Sequence, residues 1–160
     1  AILDLWLKKA EQQDAASRRE SVLFILATAY HAVRAGHSGT VRARAGVLKG
    51  LVQKDDEPRA SQLWALVQGV LDVEDGRPES AVKSLEPFVH GDELYQVHVV
   101  LHDAYEALDD KAGQKKQRDW LDHQRGRAYA EEISSYVLQS LNLDDARRLQ
   151  SSDTQRVAAL

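Results

Sequence analysis

The apolar residues of this chain recur at intervals of three and four positions, which is the spacing of one face of an α-helix. A first stripe follows Ser17, which forms with Glu20 the capping-box pattern of a helix start. It ends at Gly36, and a second stripe runs from the loop GHSGT to the polar segment KDDEP. The two stripes predict an antiparallel helix hairpin. They consist of Val22, Leu26, Ala29, Tyr30 and Val33, then Val41, Ala45, Leu48, Leu51 and Val52.

Two further hairpins follow with the same pattern. The second is predicted over 58–73 and 78–89, around the break EDGRP. Its first helix is apolar almost all round, so we expect it between neighbouring helices in the centre of a stack. The third is predicted over 92–108 and 111–129, with Asp92 as its N-cap. No segment alternates convincingly between polar and apolar residues, so most sheet folds are excluded.

The three helix pairs occupy 18–129 and predict one all-α domain over 1–150. Residues 1–14 would be the last helix of a preceding unit, because the chain opens in the middle of a helical stripe. Residues 131–150 would form capping helices, which brings the total to about eight helices, and the segment 151–160 would be a polar tail. The chain starts without methionine and contains none, so we expect an excerpt of a longer protein or a processed one.

Residues 62–90 resemble a tetratricopeptide repeat in the spacing of their small residues. Gly69 is followed by Gly76 seven positions later, by Ala81 five later and then by Leu85. In that family the first small residue and the alanine lie where the two helices of a unit touch, and the glycine makes the turn. One unit of the chain therefore matches the family well.

The neighbouring hairpins match the family in degenerate form, so the resemblance covers 18–129. One repeat later, His102 and Tyr105 take the small and aromatic positions, and Gln114 stands where the alanine belongs. One repeat earlier, Ala27 and Tyr30 match, but the hairpin is longer than the usual period of roughly 34 residues. The resemblance implies a right-handed superhelical stack of antiparallel hairpins, while other helix-pair solenoids stay open.

The resemblance also implies a concave groove, lined by the first helix of each pair, that holds another protein. Its positions here are Phe24, Thr28 and His31, then Leu66, Val70, Val73 and Glu74, then Val99, Asp103 and Glu106. This lining is apolar at its centre, around Leu66, Val70 and Val73, and acidic at one end. It lacks the lysines and asparagines with which chaperone-binding members clamp a terminal carboxylate. An apolar or mildly basic helix or extended segment is therefore the expected ligand.

We expect a protein-interaction or scaffold domain, part of a larger regulatory or assembly protein of bacterial appearance, and no enzyme. The alternative is a sensor domain that binds a small molecule or peptide and regulates an attached catalytic domain. A closed, deep apolar pocket near Leu66 and Val70 would favour the sensor, and an open, shallow groove would favour the scaffold.

Composition narrows the choice of partners. The formal net charge of −4 gives no global basic field, so neither nucleic acid nor an anionic membrane is expected. The absence of cysteine excludes disulfides and thiolate metal sites. No uninterrupted apolar run approaches the roughly 18 residues of a membrane span, so a soluble, cytoplasmic domain is expected. The expected partner is a protein or peptide, and self-association stays open.

Candidate chemistry is sparse. His98 and His102 have the spacing at which two imidazoles can grip one metal ion. HVVLH lacks the glutamate of the metalloprotease motif, so we expect one histidine in the packing, one at the surface, and neither metal nor cofactor. The loop GHSGT lacks the lysine of a phosphate-binding loop, so a turn is expected. Three carboxylate pairs are expected to cap helices. They are Asp55/Asp56, Asp109/Asp110 and Asp144/Asp145.

The return helix of the third hairpin concentrates six cationic residues around Trp120. Such a stripe could contact phosphates or an acidic partner. Because Asp119 and Asp122 interrupt it, a solvated helix face is the preferred interpretation. The six residues are Lys111, Lys115, Lys116, Arg118, Arg125 and Arg127.

Overall fold

A computed structural model describes residues 2–11, 15–53, 58–130 and 141–149. Every regular element within these ranges is helical and none is a strand, which confirms the all-α prediction for this part of the chain. None of the described helices combines the length and apolar composition that crossing a membrane requires. The helices are α1 (Ile2–Glu11), α2 (Ala15–Arg34), α3 (Ser38–Arg42), α4 (Ala45–Gln53), α5 (Pro58–Glu74), α6 (Pro78–Leu85), α7 (Tyr95–Ala107), α8 (Lys111–His123), α9 (Arg125–Ala130) and α10 (141–149).

Three hairpins in the described residues, α2–α3, α5–α6 and α7–α8, share one turn geometry. The second residue after each first helix has a positive φ: 81° at Gly36, 70° at Gly76 and 54° at Asp109. Aspartate is one of the few side chains that tolerate this left-handed conformation. The next amide then bonds the carbonyl five residues back, which closes a Schellman turn. These bonds join His37 to Ala32 (2.9 Å), Arg77 to Asp72 (2.8 Å) and Asp110 to Tyr105 (3.0 Å).

The helices pack in chain order. Helix α1 lies on α2, α2 on α5, and α5 on both α6 and α7, while α8 lies on α7. The first helices of the three hairpins are therefore neighbours, and α5 lies between the other two, as its nearly continuous apolar surface predicts. One core cluster extends from α1 to α7, and a smaller one closes the other end. The smaller cluster contains Tyr95, Val99, Leu121, Ala128 and Leu149.

Small residues are needed where α5, α6 and α7 meet. A Cβ atom added at Gly69 would lie 2.9 Å from Cδ1 of Leu85 and 3.1 Å from Cγ1 of Val100. Ala81 is completely buried in the helix opposite. In the third hairpin the close approach occurs at Gly113, where an added Cβ would lie 2.5 Å from the ring of Tyr105. Gly113 thus supplies the space for close helix packing in this hairpin, although the family pattern places the small residue one position later, at Gln114.

The first hairpin differs from its predicted boundaries. Helix α2 begins at Ala15, so Ser17 lies in its first turn and the predicted cap is wrong. Alanine is the best helix former, and two alanines extend the helix in this direction. Residues 38–40, predicted as loop, already belong to α3, and the return stripe is divided between α3 and α4.

The third hairpin, in contrast, begins later than predicted, at Tyr95. Asp92 does not cap α7, because Leu94 stands at the cap position with extended backbone. The adjacent Glu93 instead accepts the loop amides and holds the preceding segment out of the helix. Asp110 does cap α8, by accepting from the amides of the second and third helical residues.

The return helix of the third hairpin breaks at Gln124 into α8 and α9. Three predictions lie outside the described residues: the caps at Asp55 and Asp56, residues 131–140 of the predicted capping helices, and the tail over 151–160.

Candidate binding groove

Helix α10 lies against the first helices of the first and third hairpins. It uses one face, because its contacting residues recur at intervals of three and four positions. Leu141 packs against the main core, and Leu149 is buried in the smaller cluster. Between them, Asn142, Asp145 and Arg148 bond residues of the hairpins. On the third hairpin, α10 thus lies at two positions where the resemblance implies a groove, Val99 and Asp103.

Arg34 and Asp145 form a largely buried ion pair between α2 and α10. Nη2 of Arg34 donates to Oδ1 of Asp145 at 2.5 Å, and the side chains are 17% and 3% exposed. Nη1 of Arg34 also donates to the hydroxyl of Tyr30 at 2.9 Å. Burial raises the pKa of Tyr30, so its hydroxyl stays protonated. Loss of one member of such a buried pair leaves an uncompensated charge, which costs about 3 to 5 kcal/mol.

Arg148 forms a two-point bond with Asp103 on α7, over 3.0 Å from Nη1 to Oδ1 and 3.2 Å from Nη2 to Oδ2. Its Nη2 also donates to Asp145 Oδ1 at 3.3 Å. Burial by itself raises the pKa of Asp103, but the hydrogen bond with His102 and the charge of Arg148 outweigh burial and lower it. A chain of alternating charges therefore runs from Arg34 on α2 through α10 to Asp103 on α7.

We call the surface that α10 contacts, formed around Arg34, Gln96 and Asp103, the α10 seat. Asn142 forms the contacts at its other end. Its side-chain oxygen accepts a hydrogen bond from Nε2 of Gln96, and its Nδ2 donates to the carbonyl oxygen of Ala128 at 3.1 Å. Asn142 and Gln96 are both completely buried. A cavity of only about 10 Å³, lined in part by Leu121 and Leu149, is left between α10 and α8. It has room for about one water molecule, so the helix is closely packed here.

The predicted groove residues of the third hairpin lie in or beside this seat. Asp103 pairs with α10, and Val99 is completely buried in the cluster that contains Leu149. Glu106 is exposed, and its Oε1 accepts from Nε2 of Gln114 at 3.2 Å. At this end the predicted groove is occupied.

The remaining predicted groove residues lie on α2 and α5. Leu66 is completely buried and is a core residue in this structure. Glu74 is exposed and bonds α3 of the preceding hairpin, accepting from Oγ of Ser38 at 2.8 Å and from Arg42 at 3.3 Å. The five others are half-buried, so part of each side chain faces solvent. They are Phe24, Thr28, His31, Val70 and Val73.

The two histidines of α7 are both buried, so the expectation of one at the surface is wrong. Nδ1 of His98 lies 2.7 Å from Oε1 of Gln117, Nε2 lies 2.8 Å from Oε1 of Glu93, and the ring stacks on Trp120 with centroids 3.5 Å apart. His102 instead faces Asp103 at 3.2 Å. Helix α8 covers His98, and α10 covers Asp103, the residue that His102 faces. The helical spacing of α7 alone does not show that these helices cover it.

Two triads among the described residues bring potential metal-ligand atoms within 4.8 Å of one another. In the triad His102, Asp103 and Glu106, the carboxylate of Asp103 already pairs with Arg148, and Nη2 of Arg118 lies 3.4 Å from Nε2 of His102. Nearby positive charge disfavours a metal cation. The other triad lies in the loop before α7 and consists of the exposed His90 and Asp92 and the buried Glu93, whose two carboxylate oxygens already accept other hydrogen bonds.

Half of the cations in the basic stripe of α8 and α9 form ion pairs within the chain. Three of its cations pair with neighbouring aspartates at 2.6 to 2.7 Å: Lys111 with Asp109, Lys115 with Asp119 and Arg125 with Asp122. Arg127 donates to the carbonyl of Glu93 at 2.8 Å and lies over Trp120, 5.5 Å from its ring centre. These contacts favour a solvated, internally paired face over a surface that binds phosphates.

Asp145 is the residue whose role the sequence pattern missed most clearly. It is expected to cap a helix, but it forms the buried pair with Arg34, while Asp144 pairs with Arg147 on the surface. The spacing of Asp145, Arg148 and Leu149 places them on one helix face, but it does not show which residues that face contacts.

No protein-family model, no curated protein and no solved structure matches this chain. The functional argument therefore rests on the geometry of the chain itself.

Proposed function

We propose that this domain is an interaction module that holds a helical segment of another protein across α2, α5 and α7. The observation that carries the proposal is α10. A helix of the chain itself packs on α2 and α7 through one face. It does so with a buried ion pair and a buried hydrogen bond between the side-chain amides of Gln96 and Asn142. A surface that accepts one amphipathic helix has the apolar anchors and polar partners that a second helix requires.

The proposal includes the tetratricopeptide-like class of helix stacks. Three features support it: the shared turn of the hairpins, the close contact of Gly69 with Leu85, and the contact of α5 with both α2 and α7. The turns recur after 40 and 33 residues, the second close to the period of roughly 34 residues of that family. A concave binding face made by the first helices follows from this class.

The sensor alternative requires a pocket near Leu66 and Val70. Leu66 is completely buried among the described residues, and an open depression of about 500 Å³ lies elsewhere, on α6 and the end of α7. Its lining consists of Glu79, Val82, Lys83, Glu86, Pro87 and Leu108. We therefore prefer the interaction module, and the proposal assigns no catalytic step to the domain.

The test compares groove variants with surface variants. Val70→Asp and Val73→Ser alter two half-buried groove positions, and each is first checked for an intact thermal unfolding transition. Folded groove variants are expected to lose capture of the partner that the unmodified chain retains, because binding energy concentrates in a few desolvated contacts.

The matched control reverses charge on the exposed face of α8, by Lys115→Glu with Lys116→Glu, and is expected to keep the partner. If this reversal abolishes capture while folded groove variants retain it, the interface is the return helix around Trp120 and the proposed function is wrong.

A further inference from the structure

We infer that α10 is an internal ligand of the groove that the partner displaces, and that this partner is a helix with an acidic residue, a basic residue three positions later and a leucine directly after it. The inference rests on the proposed function and names the chemistry of the partner for the same groove. It is argued from the side chains through which α10 contacts the hairpins.

Each of the three residues in this pattern matches a group on the hairpins. Arg34, held by Tyr30, requires an acid, and Asp103 requires a base. In α10 the two are Asp145 and Arg148, which stand one turn apart on the same face. The cluster around Tyr95 and Val99 requires an apolar residue beyond the base, and Leu149 supplies it. A helix with the reversed order of charges would meet like charge at both positions.

One observation makes α10 displaceable. The seat is incompletely bonded, because the buried atoms Oε1 of Gln96 and Oδ2 of Asp145 have no hydrogen-bond partner among the residues that the structure describes. Such unpaired buried atoms weaken an interface. A partner that satisfies the Gln96 oxygen and avoids an unpaired carboxylate oxygen would bind more tightly than α10.

The experiment uses a fluorescent peptide with the sequence of residues 138–152, LQSLNLDDARRLQSS, and the full chain. In the chain, Asp145→Ala with Arg148→Ala weakens the internal helix. The peptide is expected to bind this variant at least tenfold more tightly than the unmodified chain, whose seat is filled. Where the double variant does not fold, Arg148→Ala alone replaces it, since that side chain is 43% exposed.

A charge-exchange series tests the predicted pattern. A peptide with Asp145→Arg and Arg148→Asp is the matched control and should bind at least tenfold more weakly. Adding Asp103→Arg to the weakened chain should reduce binding of the native peptide, and a peptide with Arg148→Asp should restore it. Restoration would not occur if the peptide bound elsewhere.

Three results would overturn the inference: equal affinity for the weakened and unmodified chains, no complex with a folded weakened chain, or dimers of the unmodified chain that form by exchange of α10. The last would make a second copy the occupant. If groove variants lose the partner but the weakened chain captures no more of it than the unmodified chain, the inference fails while the proposed function stands.

Discussion

Glu93 is a buried, charged residue that holds the segment leading into α7. Its Oε2 accepts from the amides of His90 (3.1 Å) and Gly91 (2.5 Å), and its Oε1 lies 2.8 Å from Nε2 of His98. Burial by itself raises the pKa of Glu93, but these bonds outweigh burial and lower it from about 4.5 to about 2. Because the folded pKa is depressed, the carboxylate stabilises the fold above about pH 4.5, and this stabilisation is lost as the pH falls toward 2.

Glu93→Gln should therefore lower the free energy of unfolding in a pH-dependent way. The expected loss is on the order of 3 kcal/mol at pH 7 and less than half of that at pH 3, where the native carboxylate has already lost much of its advantage. Urea denaturation at both pH values measures it. Asp92→Asn is the control, since that neighbouring side chain is 76% exposed and should change stability little at either pH. An equal loss for Glu93→Gln at both pH values would contradict the assignment.

At the scale of helices, the apolar stripes predict where the hairpins lie, because each first helix buries one face against its neighbour. The pattern does not fix helix ends. Residues 38–40 look like a loop because they contain glycine and polar residues, yet they continue as α3 after the turn at Gly36. Asp92 has the residue type of an N-cap, but Glu93 takes the loop amides and moves the helix start to Tyr95.

The seat of α10 could not be predicted from periodicity. Its polar contacts, Asn142, Asp145 and Arg148, have the composition of a solvated face, and only their partners on other helices make them buried anchors. Both partners, Arg34 and Asp103, are more than 40 positions away in the chain, and periodicity contains no information about such pairings.

Gly113 tests the packing of the third hairpin. Gly113→Ala should destabilise the protein by about 1 to 3 kcal/mol, because the added Cβ would meet the ring of Tyr105, whose hydroxyl is bonded to Glu86. Gly50→Ala in α4 is the matched control: nothing lies within 4 Å of its added Cβ, so it should stabilise by about 0.4 to 1 kcal/mol. Thermal unfolding of both variants measures the difference. If Gly113→Ala stabilised as much as Gly50→Ala, helices α7 and α8 would not approach as closely as described.

At the scale of the whole molecule, α10 links the first hairpin to the third. Its charges join Arg34 at the end of α2 with Asp103 on α7. Removal of α10 would leave both of these groups without the partner that now neutralises them. Under the proposed function, these two groups would select the partner by charge, because complementary charges contribute more to the choice of partner than to net affinity.

The central claim, that a helix occupies the face made by α2 and α7 and can be replaced there, is tested most directly by paramagnetic broadening. The chain has no cysteine, so Arg147→Cys, at an α10 position whose side chain is 76% exposed, can carry one nitroxide label. Backbone amide signals near Arg34 and Asp103 should be broadened, and excess unlabelled peptide 138–152 should restore them. If these signals were unaffected by the label, or stayed broadened when the peptide is bound, the account of the groove would be contradicted.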